Sequence, residues 1–429
     1  MRLRKPTSNL FRAREKIAAG GLDTSGLTGV VAVDPAARTA DVSGMCTYED
    51  LVAATLPLGL SPLVVPQLKT ITLGGAVTGL GIESASFRNG LPHESVLELD
   101  ILTGAGELVT ADRSQHPDLF HAFPNSYGTL GYSVRLRIEL EPVQPFVTLR
   151  HLRFHSLDEM MAAMERIIET RGYQGMPVHY LDGVVFSAQE SYLCLGFQTD
   201  TGGPVSDYTG QDIYYRSIQH ADGERHDRLT IADYLWRWDT DWFWCSRAFG
   251  AQHPVARRLW PRRYRRSSFY WKLIGYDQRF GIADRIEKRD GRPPRERVVQ
   301  DVEVPLENCA AFLNWFLDNV PIAPIWLCPL RLRDHGAQWP LYPLRSGHTY
   351  VNIGFWSSVP AGPAPGHTNR IIERKVCELD GHKSLYSESF YSADEFDALY
   401  GGETYRSVKQ TYDPDSRLLD LYAKAVQGR

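Results

Sequence analysis

Four of the eight residues from Gly74 to Gly81 in the stretch "TITLGGAVTGLGIESAS" are glycine, directly behind an alternating polar and apolar run. Glycine inside an ordered segment costs conformational entropy, so such a cluster marks positive φ, tight packing, or a ligand pressed against the main chain. A nucleotide, a phosphate or a flat cofactor meets the last description.

Periodicity on either side of the cluster sets the class of fold. "GVVAVD" and "TADVSG" read as short strands about the turn "PAAR", and "TYEDLVAATLPLGL" as a helix with Thr47 and Asp50 in a capping box. "SVLELDILTGAGELVTAD" reads as a hairpin turning over residues 104–106, and "SVRLRIELEPV" alternates Val134, Leu136, Ile138 and Leu140 against charged residues, as a strand with one wet face does. Pro142 and Pro145 break that pattern. Beyond them come a strand, "FVTLRHLRFH", and a helix, "SLDEMMAAMERIIETRG", capped by Ser156 and ended by Gly172. Later strands "RVVQDVEV" and "TYVNIGFW" and a helix "LENCAAFLNWFLDNV" predict a sheet covered by helices on one face. A chain of 429 residues exceeds what one core usually supports, so two α+β domains are expected, 1–145 and 146–400, with 401–429 returning to the first.

Several classes drop out. The formal net charge of −4 gives no overall attraction for nucleic acid, so any basic site must be local. The six cysteines are scattered without a CxxC pair, as expected for reduced thiols in a cytoplasmic protein with no metal centre. "MRLRKPTSNLF" has no apolar segment behind its charges, and no run approaches 18 apolar residues, so neither secretion nor a membrane span is expected. No Gly-Lys pair exists for a P-loop, Gly79-Leu80-Gly81 is followed by Ile82, Glu83 and Ser84 rather than completing GxGxxG, and GxSxG and HExxH are missing.

A longer pattern is present: Pro66, "TITLGG", Gly79, Gly81, "ESAS", Gly90, the hairpin, then "DLFHAFPNSYGTLGYSVRLRIEL". It resembles the FAD-binding domain of the vanillyl-alcohol oxidase and p-cresol methylhydroxylase (PCMH) superfamily. "TLGGAVTGLGIESASFRNGL", "RERVVQDVEVPLENCAAFLNWF", "PIWLCPL" and "LYSESFYSADEFDALYGGETYRSVKQTYDPD" are similar to the Δ24-sterol reductase group within it. The resemblance implies a PCMH-type FAD domain with an α/β substrate (cap) domain. It also implies reduction of a carbon–carbon double bond in a sterol or isoprenoid-like lipid, with NADPH as electron donor. Backbone N–H groups at Gly74, Gly75, Gly79 and Gly81 would face FAD beside Ile82 and Gly90, with Thr72, Ser84 and Ser86 as hydroxyl donors. Gly128 and Gly131 would complete the flavin wall, Ser126 and Thr129 would supply polar contacts, and Lys409 would reach the cofactor from the C-terminal segment. The family's additional N-terminal strand–helix unit is not matched, which leaves Thr7, Ser8 and Asn9 for the pyrophosphate. No His stands beside "TSN" to tether the flavin, so noncovalent FAD is expected.

Reducing an alkene requires a hydride at one carbon and a proton at the other, and Glu83 in "GIESAS" is the first acid expected. Gln300 and Asp301, on opposite faces of "VVQDVEVP", are the second-domain candidates; Trp326, Cys328, Tyr350 and Asn352 are expected near the pocket. His93 reads as a structural histidine. Six tryptophans between 236 and 271 interleave with "RRLWPRRYRR", a mixture that fits a peripheral membrane contact, a buried core with a solvated basic face, or a 2′-phosphate site at Arg257, Arg258, Arg262 and Arg263. Two other functions stay open at this level: an FAD-linked alcohol oxidase or dehydrogenase, and a non-catalytic lipid-binding relative.

Overall fold

The structure, a computed structural model, describes residues 3–4, 11–12, 20–221, 223–280, 285 and 293–428. Among these, an antiparallel sheet runs in the order Val30–Asp34, Thr39–Ser43, Tyr132–Pro142, Val96–Leu102 and Leu108–Ala111, and Leu60–Pro62 joins the far end of Tyr132–Pro142. The alternation in "SVRLRIELEPV" is the reason for its central place. Leu136 and Ile138 are buried beneath the helices, while Arg135 on the other face meets Asp41, Glu98 and Asp100 from both neighbouring strands.

At residues 143–145 the chain crosses into a second antiparallel sheet of eight strands. Their order is Glu224–Thr230, Phe146–Phe154, Glu190–Thr199, Tyr180–Ser187, Ile325–Arg331, Thr349–Pro360, Arg295–Pro305 and His382–Lys383. Helices Leu157–Thr170, Leu306–Asn319 and His367–Glu378 cover one face, where Met160, Met164, Phe312, Phe316, Ile372 and Val376 pack on Val298, Val302 and Ile353. This is the one-sided layer that the periodicity predicts. The opposite face is closed by the tryptophan-rich segment and faces the first sheet.

Two local details depart from expectation. "TLGG" is not a turn: Leu73–Thr78 is a short helix through both glycines, with Thr72 accepting a hydrogen bond from Gly75 N at 3.1 Å. Helix Leu157–Thr170 is capped by Ser156, but the residue that turns left-handed at its end is Arg171, with φ 49°, and not Gly172. Helix Gly402–Tyr412, in the C-terminal segment, returns to the first sheet, where Ala105 N donates to Tyr412 O.

Candidate active site

Between the two sheets lies a cavity of about 1830 Å³. Ordinary small-molecule pockets span roughly 300–1,000 Å³, so this one has room for a large extended ligand and a second molecule. Its first wall comes from the glycine cluster: Thr72, Gly74, Gly75, Gly79, Gly81, Ile82 and Gly128 all line it. These glycines serve the protein's own packing as well. A Cβ at Gly74 would stand 2.3 Å from Ser133 Oγ and 2.6 Å from Gly44 O, and one at Gly81 would meet Pro92 and Pro66. Glycine thus lets helix Leu73–Thr78 lie flat on the first sheet while leaving the helix's outer side bare. Tyr127 N donates to Thr78 O, which draws the loop containing Gly128, at φ 75°, against the same helix.

Other residues expected at the cofactor stand elsewhere. Ser84 Oγ is held by Glu83 Oε1 and Tyr234 OH, and Ser86 Oγ accepts from Glu83 N, so both hydroxyls are engaged behind the wall. Gly90 makes room for the Glu94 carboxylate, and Gly131 for Ile101 and the Leu102 carbonyl. Thr129 bonds back to Ser126 O, and buried Ser126 Oγ has no partner among the described residues but is not on the cavity surface. Lys409 spends its ammonium on Thr129 O, Asp413 and Leu418 O, tying the C-terminal segment to the Gly128 loop. Thr7, Ser8 and Asn9 lie outside the described residues.

Glu83 is not on the cavity surface either. Its carboxylate faces inward to Ser84 N, Ser84 Oγ and the wholly buried Arg237, which also pairs with Asp182 at 2.8 Å. Burial pushes Glu83 up to about 7 against the pull of Arg237. Asp182 in turn accepts from Trp238 Nε1 and from Trp326 Nε1, and Trp326 lines the cavity. Glu83 therefore belongs to a buried network that braces the wall, without direct access to a ligand.

The second wall is the uncovered face of the eight-stranded sheet. Strand alternation separates the two candidates on Arg295–Pro305: Gln300 points into the helix layer, where its amide bonds Asn369 at 2.6 Å, and Asp301 points into the cavity. Gln300 is thereby removed from direct catalysis. Asp301 accepts from Asn352 Nδ2 at 3.0 Å and from the Tyr386 hydroxyl, and Tyr386 accepts from Trp356 Nε1 at 2.8 Å. Gly354 sits directly across from Asp301, and a Cβ there would stand 2.5 Å from Asp301 Oδ1. Burial pushes Asp301 up to about 6. Trp326 and Asn352 line the cavity as expected, whereas Cys328 and Tyr350 are buried off its surface.

Aromatic rings close the space. Phe243 packs on Trp326 at 5.4 Å and on Trp356 at 4.5 Å, Trp244 reaches Trp356 at 5.3 Å, and Phe11 meets Trp271 at 4.7 Å. The tryptophans thus divide: Trp238 is core, while Trp242, Trp244 and Trp271 form cavity wall. The arginines divide too. Arg257 is buried on Asp241 and three carbonyls, and Arg265 is buried among carbonyls, so neither is free for a phosphate or a lipid. His93 is buried edge-on to Trp339, with no hydrogen-bond partner at either ring nitrogen among the described residues. Sequence reasoning missed Tyr386, Trp356 and Gln67. Gln67 lines the cavity beside Pro66 at 5% exposure, and its Nε2 donor has no partner among the described residues.

A bare glycine wall, an unused buried amide donor next to it and an acid on the far side fit an extended flavin dinucleotide. That cradle defines an FAD-binding fold of the PCMH type, and residues 7–112 match the family described as FAD binding domain. That match and the relatives below are FAD-dependent oxidoreductases of the vanillyl-alcohol oxidase/p-cresol methylhydroxylase kind, to which this chain is similar. It is similar to Delta(24)-sterol reductase of Homo sapiens, at 25% identity over 94% of this chain and 77% of that protein. The Arabidopsis thaliana Delta(24)-sterol reductase is 24% identical, over 95% of this chain and 77% of that protein. Cytokinin dehydrogenase 6 of Oryza sativa subsp. japonica is 33% identical over 174 residues, covering 41% of this chain and 31% of that protein.

Proposed function

We propose that this protein reduces a carbon–carbon double bond in an apolar sterol- or isoprenoid-like substrate, using noncovalently bound FAD with NADPH as electron donor. The observation that carries the reading is the placement of Asp301, with Tyr386 and Asn352, opposite the glycine wall across one aromatic-lined cavity. FAD, when bound, supplies hydride chemistry. Thr72, Gln67 and the bare backbone at Gly75, Gly79 and Gly128 would hold it. The rings of Phe243, Trp244, Trp326 and Trp356 bind and flatten the apolar substrate and keep water from the reacting carbons. Asp301 holds the proton that the second carbon receives, with Tyr386 and Asn352 fixing the direction of its carboxyl.

Similarity to sterol reductases over most of the chain supports a sterol-like substrate. A peripheral lipid contact is consistent with exposed Val255, Leu259, Tyr276 and Phe280 and with exposed Arg258, Arg262 and Arg263 in the same region; no helix among the described residues is long and apolar enough to cross a membrane. The domain limits proposed for this reading are 1–145 for cofactor, 146–400 for substrate and 401–429 for the returning segment.

Purified protein reconstituted with FAD tests the reading. Anaerobic NADPH should bleach the flavin absorbance, and adding a Δ24-unsaturated sterol should restore it with formation of the saturated product. Bleaching by an alcohol, with recovery only in air, would assign an oxidase instead. Failure to retain FAD would leave a lipid-binding protein.

A further inference from the structure

The cavity reaches the molecular surface along helix Ser267–Phe280. Tyr276 lines the cavity and is 59% exposed, and the exposed residues Arg247 and Ala248 line it too. Resting on the reading of an apolar, sterol-like substrate, we infer that this rim docks on an anionic lipid bilayer and is the portal by which the substrate enters the cavity without crossing water.

A continuous apolar surface leads up to the mouth. Phe269, Leu273, Tyr276 and Phe280 recur at helical spacing, which puts them along one side of the helix. Tyr276 and Phe280 stack at 6.5 Å. At the other end of the stripe, Phe269 stacks on Tyr264 at 4.7 Å and meets Trp260 edge-on at 5.9 Å. Leu259 adjoins Trp260, and Val255 stands one turn before Leu259 on helix Pro254–Leu259. Val255 is 63% exposed, and Leu259, at 77%, is the most exposed large apolar side chain among the described residues. Side chains of this kind gathered in one patch mark an interaction surface. The same helix sends Trp271 and Ile274 into the cavity wall, and Leu273 and Tyr276 of the stripe line the cavity as well. The apolar path from outer surface to cavity is thus unbroken.

Charge decides what covers this face. Arg262 is paired with Asp207 at 3.1 Å, and Arg266 with Glu49. Arg258, Arg263 and Lys272 are exposed and have no carboxylate partner among the described residues, in a chain whose formal net charge is −4. Arg263 lies over the Tyr264 ring at 4.8 Å, so a cation and an amphipathic ring sit together as they do at headgroup depth. A second copy of this chain, meeting the patch about a two-fold axis, would bring the same cations against one another. An anionic bilayer answers both features: its headgroups take the cations, and the upper acyl chains take Leu259, Tyr276 and Phe280. No helix among the described residues is long and apolar enough to cross a membrane, so the contact is one of lying on the surface.

Co-sedimentation of the FAD-loaded protein with vesicles tests the surface independently of turnover. The protein should pellet with vesicles of equal parts phosphatidylcholine and phosphatidylserine, and bind about tenfold more weakly to phosphatidylcholine alone. The double variant Val255→Ser, Leu259→Ser should lose about tenfold in vesicle affinity, with flavin absorbance and urea midpoint unchanged. Reduction of a Δ24-unsaturated sterol embedded in the vesicles should fall by a similar factor in the double variant, whereas the same sterol delivered from cyclodextrin should turn over at the wild-type rate. A wild type that stays in the supernatant, a double variant that binds as tightly as wild type, or an equal loss of turnover in both modes of delivery would overturn the inference. A concentration-dependent dimer in sedimentation velocity that the double variant abolishes would give the face to a second copy and overturn it too. A wild type that reduces no sterol alkene from either source would sink the reductase reading, while co-sedimentation still decides whether this face binds a bilayer.

Discussion

Asp301 combines a carboxyl that faces the cavity with surroundings that raise its pKa without supplying a cation. With the group pushed up to about 6, its protonated fraction falls as pH rises through that value. Turnover limited by proton delivery should therefore decline on the alkaline side of about pH 6. Asp301→Asn should abolish that limb and lower turnover by about 10²–10⁴, the usual worth of a positioned acid. Stability should move the other way. The folded state keeps this proton to a higher pH than the unfolded chain, so the stabilising contribution is present below about 3.8 and is lost as pH rises through about 6. At pH 7 the variant should thus match or exceed the wild type in urea while losing activity with flavin still bound. Strand alternation separates Gln300 from Asp301 in the sequence, but which of the two meets the ligand depends on which sheet face the helices cover. Gly354 was the overlooked signal: a glycine opposite the acid marks the space its carboxylate occupies.

At the level of elements, those whose partners are local were the legible ones. Helix Leu157–Thr170 carries its apolar stripe, its Ser156 cap and its acidic first turn within one window of sequence, and the structure begins it where these signals say. Its end departs from the sequence signal by one residue, because the left-handed turn falls on Arg171 and not on the nearest glycine. Arg171 holds φ 49° while exposed, a conformation that costs a side-chain-bearing residue roughly 1–2 kcal/mol. Arg171→Gly should raise stability by about 0.5–1 kcal/mol, after allowing for the greater freedom of glycine in the unfolded chain, read as a higher urea midpoint with unchanged slope. The helix through Gly74 and Gly75 was illegible for a different reason. Its glycines are explained by Gly44 and Ser133, which only the folded sheet brings beside them, and Tyr386 sits on an irregular segment with no periodicity to reveal it.

Across the whole molecule, buried histidines make the fold sensitive to acid, His93 and His151 more than His382. His93 lies against Trp339 near the first sheet, and His151 lies on a strand of the second; both are buried, and no ring nitrogen of either has a hydrogen-bond partner among the described residues. Desolvation pushes each down to about 3 from an ordinary 6.5. Their contribution is therefore fully present above about pH 6.5 and is lost as pH falls toward 3, because the unfolded chain takes up protons that the folded chain refuses. Asp301 and Glu83 oppose this over part of the same range, since their raised pKa values favour the folded state on the acid side. The wild-type profile alone would blend the two trends, so the comparison must isolate each histidine. At pH 5.5, one unit below the unfolded value, each should cost about 1.4 kcal/mol relative to pH 7.5. His93→Leu and His151→Leu, compared separately with wild type by urea unfolding at the two pH values, should each narrow their stability deficit, or widen their advantage, by about that amount at pH 5.5. A difference from wild type that stays constant between the two pH values would show that the ring in question is hydrated or partnered, and that its burial is not what limits the fold in acid.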